Sequence, residues 1–300
     1  MEYNPIVLHK IRDSKQKEEG IFLDYSEFQR ELIELKRCHP SLKTEVFGCS
    51  WLGRSLHALH LGSGRQSVLL AGAVHGMEHL TTDLLMRYTQ ELLKEPILPC
   101  QVTIVPMVNP DGVAIETGGI AQAGRFAPLV RRVSKGDTHC WQANGRGVDL
   151  NHNFDAGWQD LRQREIAAGI TEPAPTRFGG YYPESEPESH GLAQLCRREQ
   201  FSMAAVLHSQ GEEIYWQYGK HTPRCSLEIA HAMEAVSGYR VAEPEGLAVG
   251  GGMKDWFLEK FHRPAFTIEV GKGENPLPHT DLDAIYERVK PMLDVLISRK

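Results

Sequence analysis

The chain has 300 residues, enough for one large α/β domain or two small ones, and its 41% hydrophobic and 24% charged content fits a soluble globular protein. Thirty-nine acidic against 33 basic side chains leave a formal charge of −6, which argues against nucleic acid as a partner. No stretch approaches the roughly 18 apolar residues of a membrane span, and the first ten residues hold no apolar core of signal-peptide length, so a cytoplasmic protein is expected.

Residues 1–23 are polar and read as an N-terminal arm, leaving 24–300 as the one folded domain. Ser26 precedes Phe28, Leu32 and Leu35, a helical spacing that it is placed to cap. His57–Leu61 alternates like a strand, 62–65 is a Gly-containing turn, and Val68–Ala71 is a buried strand. Leu80–Leu93 carries apolar residues at helical spacing. Val102–Val108 reads as a further buried strand, ending in a turn at Asn109-Pro-Asp-Gly112. Residues 113–190 are rich in Gly and Pro and weakly periodic, which predicts a long functional loop. Beyond it the pattern predicts a helix over Leu192–Phe201, a strand over Met203–Leu207 ending at His208, and a helix over Pro223–Ser237. A strand over Pro264–Val270 carries Glu269, and Leu282–Ser298 closes the chain as an amphipathic helix. Strands alternating with helices, without repeat or linker, predict one α/β domain. Six cysteines, Cys38, Cys49, Cys100, Cys140, Cys196 and Cys225, form no CxxC pair, so they read as reduced thiols rather than metal ligands.

The chemistry concentrates in Gly72-Ala-Val-His-Gly-Met-Glu-His79, directly after the Val68–Ala71 strand. His75 and Glu78 supply an imidazole and a carboxylate three residues apart, two of the three protein ligands of a catalytic zinc. His208 and Glu269 also fall at strand ends, the edge at which open α/β sheets place their ligand sites. A competing parse takes His75 and His79 as an HxxEH pair on one helix face. It requires His75 inside a helix, whereas a strand precedes it and Gly76 follows.

These residues, with Asn109-Pro-Asp-Gly112, Gly147-Val-Asp-Leu-Asn151, His208-Ser209 and Phe266-Thr-Ile-Glu269, resemble the zinc carboxypeptidases of the M14 class, in the same order across roughly 25–300. The resemblance implies a central mixed, mostly parallel twisted sheet flanked by helices. It also implies one zinc ion on His75, Glu78 and His208, with water in the open position. Glu269 would be the general base, Arg131 or its neighbour Arg132 the group polarising the scissile carbonyl, and Asp149 the carboxylate that orients His75.

Two departures bear on substrate. Where ordinary carboxypeptidases of the class carry Asn-Arg, a bidentate clamp for a terminal carboxylate, this chain has Asn151-His152, and histidine has no such fork. The tyrosine brought over the substrate is replaced near Leu247. Asp149-Leu-Asn-His-Asn-Phe154, Pro173-Ala-Pro175, Gly179-Gly180, His208–Trp216 and Gly251-Gly-Met-Lys-Asp-Trp256 resemble instead the γ-D-glutamyl-L-diamino acid (meso-diaminopimelate) peptidases. That branch implies a peptidoglycan-derived peptide as substrate, with Asn151, His152, Gln210 and Lys254 as candidate contacts. Lys254 aligns with the side-chain-selecting position and is expected to meet a diaminopimelate carboxylate. A broader carboxypeptidase or amidase of the same class, and a silent muropeptide-binding protein, stand as alternatives.

Overall fold

A computed structural model describes residues 24–298; the expected arm at 1–23 lies outside them. Helix α1 (Tyr25–Cys38) starts one residue ahead of Ser26, and its cap is Asp24, whose side chain accepts from the Glu27 amide at 2.8 Å. Its buried residues are the expected Phe28, Leu32 and Leu35.

Eight strands form one sheet in the order β1-β2-β4-β3-β5-β8-β6-β7. Their ranges are β1 Lys43–Cys49, β2 Ser55–Leu61, β3 Ser67–Ala71, β4 Gln101–Val105, β5 Met203–His208, β6 Glu213–Tyr215, β7 Arg240–Ala242 and β8 Ala265–Glu269. The central run β4-β3-β5-β8 is parallel, and antiparallel β2 and β6 flank it.

Strand β5 is buried at all six positions and β3 at four of five, because both faces of the sheet are covered. Side chains alternate between two cores, as a strand's two-residue period requires. Leu70 and Leu207 join α1, α2 (Leu80–Leu92), α7 (Cys225–Ser237) and α9 (Leu282–Ser298) on one face. Leu69 and Val206 join α6 (Pro187–Glu199) and α8 (Met253–Phe261) on the other.

The structure corrects three further expectations. Strand β4 stops at Val105, before Pro106, which has no N–H for the ladder. Asn109-Pro-Asp-Gly112 is not a free turn but the start of α3 (Pro110–Gly118): the Asn109 side chain accepts from the Gly112 amide at 2.8 Å, and Pro110 occupies the first turn. The stretch 113–190 is not one loop. It also carries α4 (Ala127–Ser134), α5 (Trp158–Ala167) and the start of α6. Strands β1, β6 and β7 and helix α8 had no counterpart among the expected elements. No helix among the described residues is long and apolar enough to cross a membrane.

Candidate metal centre

Parallel β3, β5 and β8 end side by side, and residues at or just beyond their carboxyl ends build the site. After β3 the chain turns sharply. His75 has extended backbone (φ −97°, ψ 138°), and a single 3-10 turn, Gly76–Glu78, brings Glu78 round beneath it. Gly76 is required there, since a Cβ would lie 2.5 Å from the Gly112 backbone at the start of α3. The HxxEH parse fails for the same reason: His75 is outside any helix, and the His79 Nε2 turns away to Glu116 at 3.2 Å. His208 ends β5 and pairs in register with Glu269 on β8.

Glu78 joins the two imidazoles. Its Oε1 lies 2.8 Å from His75 Nδ1 and its Oε2 2.9 Å from His208 Nδ1. The donor atoms of His75, Glu78 and His208 all fall within 4.8 Å of one another, the only such group found among the described residues. Two imidazole nitrogens and one carboxylate, turned inward in a buried corner, are the three-ligand set of a catalytic zinc. The residues present therefore fit the ion.

Asp149 supports the set from behind. His75 Nε2 donates to its Oδ1 at 3.1 Å, which leaves Nδ1 facing the other ligands. The same carboxylate accepts from the amides of Asn151 (3.0 Å) and Arg177 (2.9 Å). Burial opposes the ionisation of Asp149, but His75, His152 and the Arg177 amide outweigh it and hold its pKa far below the ordinary range. Burial likewise opposes Glu78, and the two imidazoles bring it down to about 2. Glu269 goes the other way. Burial first, then repulsion from Glu78, raises it well above the usual carboxylate range. Two carboxyl groups in one site are thus driven apart, one fixed as a ligand and one able to carry a proton.

A cavity of about 310 Å³ opens on these residues, and His75, His208, Glu269, Asn151, His152 and Lys254 all border it. Each expected substrate contact has a defined place. Asn151 Oδ1 accepts from the Met253 amide at 3.1 Å. His152 is buried, with Nδ1 2.7 Å from Glu165 Oε1; Glu165 also accepts from Arg162 and the Gly179 amide. Lys254 is buried rather than a surface lysine. Its Nζ donates to the Gln217 carbonyl at 2.7 Å and pairs with Asp255, which also borders the cavity. Gln210 is exposed and does not border the cavity.

The expected arginine is not brought to this site. Arg131 and Arg132 project from α4, both exposed and neither bordering the cavity, and Arg132 pairs with Glu172 at 3.0 Å. The arginine on the cavity wall is Arg177, which sequence reasoning missed, as it did Gln142, Tyr215 and Glu245. The available signal was its position between Pro173-Ala-Pro175 and Gly179-Gly180, a turn-rich stretch that brings backbone close to other groups.

The sequence model described as zinc carboxypeptidase matches residues 29–291. The chain belongs to the zinc carboxypeptidase family. Among its relatives, the γ-D-glutamyl-L-diamino acid endopeptidase 1 of Lysinibacillus sphaericus is 31% identical over 282 residues, covering 88% of this chain and 69% of the relative. Human carboxypeptidase B is 25% identical, over 83% of this chain and 63% of its own. Solved structures share the fold. Bovine thrombin-activatable fibrinolysis inhibitor, in complex with tick carboxypeptidase inhibitor, aligns with a TM-score of 0.72 at 19% identity, covering 93% of this chain and 97% of that one. Murein-tripeptide amidase MpaA from Escherichia coli O157 aligns at 0.56 and 21% identity, covering 86% and 92%. The family's metal is zinc, and the inward-facing triad provides the candidate site for it.

Proposed function

We propose that this metallopeptidase hydrolyses the bond between γ-D-glutamate and a diamino acid, meso-diaminopimelate, in peptidoglycan stem peptides. The observation that carries the choice of bond is His152. It occupies the carboxylate-clamp position, yet it is committed to Glu165 and has no guanidinium fork. The bidentate clamp that ordinary carboxypeptidases close on a terminal carboxylate is therefore lacking at this position. The activity named for the 31% identical relative agrees with this choice.

His75, Glu78 and His208 would hold the zinc ion, which when bound would supply Lewis acidity and make water acidic enough to lose a proton near neutral pH. Glu269 takes the proton of the attacking water and returns it to the leaving amine, a task suited to a carboxyl whose pKa is raised by its surroundings. Asp149 holds His75 in one tautomer and orientation. Lys254 and Asp255 present both signs of charge to the cavity, matching the ammonium and carboxylate of a diamino acid side chain. Asn151 fastens the start of α8 and so fixes where that pair stands.

The test is direct. Purified protein with zinc is incubated with L-Ala-γ-D-Glu-meso-diaminopimelate and with matched α-linked peptides, and the products are identified by mass. Release of free diaminopimelate is expected, and preference for the α-linked C-terminus would overturn the reading. Lys254→Met is expected to weaken the diaminopimelate peptide more than its lysine analogue, and equal losses would remove Lys254 from side-chain selection.

A further inference from the structure

The charges on the cavity wall do not cancel evenly. Lys254 is balanced by Asp255, and His152 is bonded to Glu165. His75 and His208 are taken up by Glu78 and Asp149. Arg177 differs: its side chain is exposed to the cavity and has no hydrogen bond or ion pair among the described residues. Its backbone, by contrast, is fixed. The Arg177 amide donates to Asp149 Oδ2 at 2.9 Å, on the same carboxylate that holds His75. Its φ of 65° lies in the left-handed region, which costs a non-glycine residue energy and persists only where surrounding structure imposes it. The next residue, Phe178, is fully buried beneath the Arg162 guanidinium, and the Gly179 amide donates to Glu165. A cation without a counter-ion is therefore mounted on a backbone anchored to the support of a metal ligand.

We propose that Arg177 is the anion-recognition residue of the cavity and pairs through its planar fork with a substrate carboxylate beside the scissile bond. The assignment rests on the peptidase reading above and supplies the carboxylate contact that His152 does not provide. An unpaired guanidinium matches a carboxylate in geometry and charge, and the anchored backbone lowers the entropy lost on pairing. The substrate class follows: peptides that keep a free carboxylate next to the cleaved amide, on either the glutamyl or the diamino acid side.

The experiment compares the wild type with Arg177→Gln and Arg177→Lys on three peptides. These are the unmodified γ-D-glutamyl-diaminopimelate peptide, its analogue with the glutamyl α-carboxyl as carboxamide, and its analogue with the diaminopimelate carboxyls as carboxamides. On the unmodified peptide, Arg177→Gln is expected to raise KM by about 10- to 100-fold, the worth of a hydrogen-bonded charge pair, while kcat changes far less. Arg177→Lys should recover part of the loss. On one of the two amidated peptides the wild type should fall to the level of Arg177→Gln, with no further loss in the variant. Equal losses on all three peptides would overturn the assignment, as would a fall in kcat at constant KM, which would place Arg177 on the scissile carbonyl. Wild-type protein that leaves γ-linked peptides intact but cuts an α-linked peptide would refute the proposed bond alone. The same comparison on that peptide and its C-terminal amide would then still decide the role of Arg177.

Discussion

Replacing Glu188 with glutamine removes a carboxyl group whose ionisation opposes folding. Glu188 lies on α6 in a buried acidic corner with Asp111 and Glu186. Asp111 is well supplied, accepting from Ser50 Oγ at 2.7 Å, the Leu52 amide at 3.1 Å and Arg54 at 2.7 Å. Glu186 accepts from Asn144 and Trp51 Nε1, each at 2.8 Å, and from Ser185. Glu188 has the weakest set, Asn144 at 3.2 Å and the Trp51 amide at 3.4 Å. Burial first, then the charges of Asp111 and Glu186, push its pKa from 4.5 up to about 8. The folded state therefore holds a proton that the unfolded chain gives up. The associated stability is present below pH 4.5 and is lost as pH rises through about 8. A shift from 4.5 to about 8, at about 1.36 kcal/mol per unit, caps the loss near 5 kcal/mol; at pH 7 it is about 3 kcal/mol. Glutamine is neutral throughout and suffers no such loss. Urea unfolding of wild type and Glu188→Gln at pH 5, 7 and 9 isolates this group, because every other titration is common to both. The stability of the variant relative to wild type should climb by a few kcal/mol from pH 5 to pH 9. Parallel pH profiles would refute the reasoning, and a variant that loses ground at high pH would reverse its sign.

Other expectations concern the site. Glu269→Gln should leave zinc content unchanged, read by metal analysis, and lower kcat by about 10²- to 10⁴-fold; full turnover in this variant would remove Glu269 from proton transfer. Asp149→Ala should weaken zinc binding by about 10- to 100-fold in a chelator competition, and unchanged affinity would mean that His75 needs no support. Arg131→Ala should keep kcat/KM within about twofold of wild type, as surface substitutions do; a loss of several hundredfold would bring that arginine back to the scissile carbonyl.

The parts of the fold legible in the sequence were those buried on both faces. Strands β3, β5 and β8 are mostly apolar runs because helices cover both sides, and His75, His208 and Glu269 lie at or just beyond their ends. The closing helix Leu282–Ser298 was equally plain, since its apolar stripe packs on a single face. Strands β6 and β7 have three residues each, too few for any period to register. Strand β1 is an edge strand, and its partly exposed residues show no buried alternation. Helix α8 begins after Gly251 and Gly252 and is stitched in place by Asn151 and Asp255, contacts with no local pattern. The site divides in the same way. The ligands sit at fixed offsets from strands, whereas Arg177 owes its place to a left-handed backbone and to a hydrogen bond that its amide donates to a residue 28 positions away.

That hydrogen bond has a bearing on how such an enzyme diversifies. One oxygen of Asp149 steadies His75, and the other pins the backbone that displays Arg177. An insertion or deletion between Asp149 and Arg177 would pull on the carboxylate that keeps a metal ligand in place. The wall segment around Arg177 is thus freer to change the side chains that face the cavity than to change its length. Descendants of this chain would acquire new substrate preferences by exchanging residues on a fixed rail, and length variation would be confined to loops that share no atom with the metal's support.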